Sequence, residues 1–133
     1  MAQMQGSSSS SGGRLDGSLQ RDALTNAAFA LGVGWGDGAV TKVLTSGSTD
    51  QRGTLTITSV GSNQAQATAT VTFTFADGAY ASAPFVMMTS SNDNSIDTGR
   101  FALTSVSTTQ VVWTFSLLPV ASKIYKLHYA IIA

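Results

Sequence analysis

The chain contains no cysteine and no glutamate, and only two prolines and one histidine among its 133 residues. Without cysteine there is neither a disulfide framework nor a thiolate metal site. Without glutamate, the i,i+4 Glu–Lys pairs that support long exposed helices cannot form. Charge is scarce as well: charged residues make up 11% of the chain, against roughly 25% in ordinary soluble domains. Seven basic and seven acidic residues cancel. A nucleic-acid surface would need a basic cluster, and only Lys123 and Lys126 stand close together, so no nucleic-acid partner is expected. No apolar run of about 18 residues exists, and no basic segment leads into an apolar one near Met1, so neither a membrane span nor a signal peptide is expected.

What the chain does have is alternation. From Ala67 to Phe75 apolar residues and threonines alternate without a break, placing Ala67, Ala69, Val71, Phe73 and Phe75 on one face and Thr68, Thr70, Thr72 and Thr74 on the other. A period of two predicts a strand with one buried and one wet face. The threonine face is uncharged, so it can meet another surface without desolvating a charge. The same pattern puts Leu55 and Ile57 inward in Gly53 to Ser59. It groups Val111, Trp113 and Phe115 in Gln110 to Leu117, and Tyr125, Leu127, Tyr129 and Ile131 in Lys123 to Ile132. With Lys42 to Thr45, Phe85 to Ser90 and Arg100 to Ser107, seven strands are predicted. The fold class expected is all-β, an antiparallel β-sandwich of jelly-roll-like form.

The first residues read differently. Ser7 to Ser11 followed by Gly12 and Gly13 is a flexible composition, and ordering it costs about 1–2 kcal/mol per residue, so contacts with a partner would have to hold it. Ser18 is placed to cap a short helix running to Leu31, with Leu24, Ala28 and Leu31 on one side. Gly32 to Ala39 is glycine-rich and reads as a hinge, with Trp35 anchored in an apolar pocket. It lacks the strand, the helix and the G-K-[ST] signature of a phosphate loop. The expected division is residues 1–39, an N-terminal arm and hinge, and residues 40–133, the β domain.

Candidate chemistry is thin. His128 is the only available base and sits mid-strand between tyrosines, where a packing role is expected. The closest acid pair, Asp93 and Asp97, shares a turn-like loop, which argues against a glycosidase arrangement. That loop lacks the central glycine and the terminal glutamate of a calcium loop, Thr104 standing at its twelfth position, so a solvated turn is expected. Trp113 alternates with core residues, which leaves Tyr80 as an aromatic ligand-contact candidate. No enzyme activity, cofactor or metal is expected.

The segments Ser48-Thr49-Asp50-Gln51-Arg52-Gly53-Thr54-Leu55-Thr56-Ile57-Thr58, Ala69-Thr70-Val71-Thr72-Phe73, Tyr80-Ala81-Ser82-Ala83-Pro84 and Tyr125-Lys126-Leu127-His128-Tyr129 resemble a domain found at the ends of bacteriophage tail-fibre and virion-surface proteins. The likeness runs from about Thr45 to Ala133. It implies a β-sandwich that associates as a homotrimer on the virion surface, after synthesis in the host cytoplasm. The expected function is a capsid decoration or cement protein, or short head fibre. Its arm would dock on the major capsid protein or another virion protein through Leu15, Leu19, Leu24, Phe29 and Trp35. The alternative is a receptor-binding head of a tail fibre or baseplate, with Tyr80, Asn92, Asp93 and Asp97 on loops that touch a host surface glycan.

Overall fold

A computed structural model describes residues 23–90, 101–116 and 118–133. Eight strands run in chain order: β1 Phe29–Leu31, β2 Thr41–Leu44, β3 Arg52–Thr58, β4 Thr70–Thr74, β5 Phe85–Ser90, β6 Phe101–Val106, β7 Gln110–Phe115 and β8 Ile124–Ile132. They form two four-stranded sheets, sheet I in the order β1-β4-β7-β6 and sheet II in the order β2-β3-β8-β5. Every neighbouring pair is antiparallel. The fold is the expected all-β sandwich, and the only helical elements among the described residues are short 3-10 turns at Asn26–Ala28 and Val33–Trp35.

The alternating patterns do what they predict. Val71, Phe73, Val111, Trp113 and Phe115 of sheet I face Leu55, Ile57, Tyr125, Leu127, Tyr129 and Ile131 of sheet II, and all are buried. Each such side chain adds about 1.5–3 kcal/mol by leaving water. Rings lock the two layers together. Phe29 stacks on Phe73 with centroids 4.4 Å apart, and Tyr129 of sheet II tilts against both at 5.3 and 5.1 Å. At the opposite end Trp35 meets Phe115 of sheet I at 5.0 Å and Tyr125 of sheet II at 5.6 Å.

Three expectations are corrected. No α-helix leads to Leu31 within the described residues: Phe29, Ala30 and Leu31 pair with Phe73, Thr72 and Val71 as an edge strand. A period of two, with Phe29 in and Ala30 out, prevails over the helical spacing of Leu24, Ala28 and Leu31, because the open edge of β4 supplies backbone hydrogen bonds that a lone three-turn helix would lack. The boundary at residue 39 does not match the edge of the packed core either. Gly32 and Gly34 extend the pairing by donating their N–H groups to Thr70 O and Thr68 O, and Trp35 is fully buried. Its indole Nε1 donates to Thr70 O at 3.0 Å. The stretch expected to be a hinge is therefore a clamp. A Cβ on Gly34 would run into the backbone of Ala65 and Ala69, so glycine there is a requirement of close approach. Lastly, the strand expected from Ala67 begins at Thr70, since Ala67 is exposed with φ at +67°.

Candidate ligand cleft at the β2–β3 hairpin

Strands β2 and β3 pair up to Leu44 and Leu55, and Thr45 N–H adds one more bond to Thr54 O. Beyond that point the chain turns: Ser48 N–H donates to Thr45 O, and Gly47 takes φ +86°, the left-handed value that a glycine-containing tight turn needs. The hairpin tip is tied back to β3, with Thr49 N–H donating to Arg52 O and Thr54 N–H to Ser48 Oγ, while β3 stays paired with β8 as far as Arg52 and Ala130. Between tip and strand pair lies an open cleft of about 370 Å³, lined by Thr45 to Ser48, Arg52 to Thr54, His128 and Tyr129.

Its walls are held from behind. Asp50, completely buried, accepts from the N–H groups of Ala76 and Asp77 at 2.9 and 2.7 Å. Its carboxylate thus ties the β2–β3 loop to the end of β4, a strong bond type because the acceptor is charged. Thr49 Oγ1 accepts from Gln51 N–H and Arg52 N–H, and Tyr129 Oη donates to Thr49 O at 2.7 Å. Burial, reinforced by the nearby Asp50 charge, pushes the Tyr129 phenol well above its ordinary value, with a hydrogen bond from Ser48 pulling the other way. Gly53 fits beneath because a Cβ there would lie 2.5 Å from both Ser48 Oγ and Tyr129 Oη.

At the front, Thr54 and His128 are register partners, and Thr54 Oγ1 lies 2.7 Å from His128 Nδ1. A threonine beside an imidazole suggests nucleophile chemistry, which requires a third group to orient the base. No described carboxylate bonds to His128, and Asp50 is committed to two amides. Among the described residues no group of three or more His or Asp side chains is placed to hold a metal ion. The front of the cleft offers hydroxyls, an imidazole and a guanidinium.

The residues expected to form a site fall elsewhere. Leu15, Leu19, Asn92, Asp93 and Asp97 lie outside the described residues. Leu24 packs half-buried against the core, while Phe29 and Trp35 are part of it. Those last two cannot serve as docking anchors, because the sandwich itself covers them. Tyr80 is also buried, its ring edge-on to Phe75 at 4.8 Å, which removes it as an exposed stacking surface for a sugar. The glycine-rich stretch is spent on its own fold: the N–H groups of Gly32, Gly34, Gly36 and Gly38 all donate to carbonyls of the chain.

Sequence reasoning missed the cleft. Arg52, Gly53 and Thr54 were visible as part of the resembling segment, but their meeting with His128 depends on a register that pairs residues 74 positions apart. No family model, curated protein or solved structure matches the chain.

Proposed function

We propose that the chain is a non-enzymatic virion structural protein, a capsid decoration or cement protein or short head fibre, which assembles as a homotrimer and docks on a virion protein through residues 1–22. The observation that carries this reading is the outer face of sheet I. Its strands β1, β4, β6 and β7 contain no ionisable residue, and threonines 70, 72, 74 and 114 dominate the outward positions. Such a face packs against copies of itself without stripping water from a charge. The resemblance noted in the sequence points the same way.

The arm in this reading is shorter than the sequence suggested. Leu24 N–H donates to Ser48 O, so a truncation has to keep everything from Ala23 onward to leave the sandwich whole. Undecorated phage heads mixed with the full chain or with residues 23–133, then pelleted, test the reading. Co-sedimentation of the full chain alone is the expected result. Binding by neither form, together with a monomer at micromolar concentration by analytical ultracentrifugation, would overturn it.

A second reading, a receptor-binding head that recognises a host surface glycan, draws on the hydroxyl-lined cleft.

A further inference from the structure

The charge on the sandwich is segregated. The strands of sheet II carry Lys42, Arg52, Lys126 and His128 and no acid, while those of sheet I carry no charge of either sign. The described acids sit in loops and are engaged. Asp37 accepts from Ser62 N–H and Asn63 Nδ2 at 2.7 Å each, Asp50 accepts from two amides, and Asp77 belongs to that same junction through its N–H. Sheet II therefore presents positive potential without a neighbouring acid on its strands to cancel it.

Arg52 brings that potential to the rim of the cleft. It is exposed and makes no ion pair among the described residues. Ser46 and Gly47 of the hairpin tip line the same cleft, and their N–H groups donate to no described group. A guanidinium fork is a donor suited to an oxyanion, and free backbone amides lining the same cleft are donors of the same kind. Elsewhere the lining includes Thr45, Ser48, Thr54 and His128, whose hydroxyls and imidazole can pair with alcohols. Asp50 lies behind Tyr129 and opposes negative charge on the cleft floor, which places the anion at the Arg52 rim.

We propose that this cleft binds the carboxylate or sulfate of an acidic saccharide, with Arg52 as counter-ion, the Ser46 and Gly47 amides as further donors, and Thr54 and His128 against the sugar hydroxyls. The proposal stands on the cleft and the charge pattern and is independent of virion docking.

The test titrates the purified full chain, followed by isothermal calorimetry and by amide chemical shifts of Ser46, Gly47 and Arg52. Three probes are used: a hexuronic acid disaccharide, the same disaccharide as its neutral methyl ester, and inorganic sulfate. The expected result is binding of the acid with shifts confined to the hairpin tip, and about tenfold or more weaker binding of the ester. Arg52→Gln should weaken the acid about tenfold or more. Lys123→Gln, which removes the same charge outside the cleft, should leave affinity unchanged. An unchanged thermal midpoint for Arg52→Gln shows that the loss is local. Sulfate as strong as the disaccharide overturns the saccharide part of the proposal. Equal binding of acid and ester, or equal losses from Arg52→Gln and Lys123→Gln, overturns the counter-ion. No saturable binding by any probe overturns the site.

Discussion

The two sheets are alike on the inside and unlike on the outside. Inward, each presents a continuous run of aliphatic and aromatic side chains, and rings from each reach across to the other. Outward, sheet I shows hydroxyls and no charge, whereas sheet II shows cations and, near one end, the exposed apolar side chains Phe85, Met87 and Ile132. Burial constrains the inner faces, since any sandwich must fill its interior at close to crystalline density. Nothing in folding requires the outer faces to differ.

The largest expected effect probes the shared interior. Trp35→Ala removes the ring that bridges Phe115 and Tyr125, and should cost about 3–5 kcal/mol in denaturant unfolding. A cost below about 1 kcal/mol would mean that the stretch before β2 is not part of the interior at all. Asp50→Ala removes an acceptor from the Ala76 and Asp77 amides and should cost about 2–4 kcal/mol. Asp50→Asn, which retains one carbonyl oxygen, should cost less; the reverse ranking would refute the role given to the two amide bonds.

Tyr129→Phe is a smaller change with a distinctive pH signature. Loss of the bond to Thr49 O should cost about 1 kcal/mol at neutral pH. The native phenol keeps its proton above the ordinary value of 10.0, so the unfolded chain releases that proton first as pH rises. The stability tied to the raised value is complete below about pH 10 and is lost above it. The phenylalanine variant should show a flatter decline in alkaline unfolding experiments, and an unchanged slope would contradict the burial of the hydroxyl. The smallest effect tests the outer face of sheet I. Thr72→Lys should alter the unfolding free energy by less than about 1 kcal/mol while breaking any assembly through that face in sedimentation velocity. If oligomers survive it, sheet I is not the packing face.

Much of this architecture is legible in the alternation of residues. β4, β7 and β8 are long enough for a period of two to exclude other readings, and their inward residues are the buried ones. β1 is not, because three residues carry almost no periodicity and Leu24, Ala28 and Leu31 mimic a helix face. It is a strand only because β4 offers an edge. The cleft is less legible still. Ser48, Thr49, Asp50 and Gln51 look like any polar turn, and nothing local tells that Asp50 points inward to cap two distant amides. Tyr80 has the same difficulty, since its burial against Phe75 follows from how the loop after β4 folds back to pair its N–H with Thr108 O.

The strand order also governs when the fold can close. β8 is the last of the eight strands in sequence, yet it lies between β3 and β5 at the centre of sheet II. Until it emerges from the ribosome, the β2–β3 hairpin and β5 have no common partner, and the aromatic rings of β1 and β4 lack Tyr129, which completes their packing. Such a chain commits to its native state late and all at once, with slow, non-local closure. A nascent chain stalled before Ile124 would expose both half-built layers, making it a natural client for chaperones and, left unattended, for edge-to-edge aggregation.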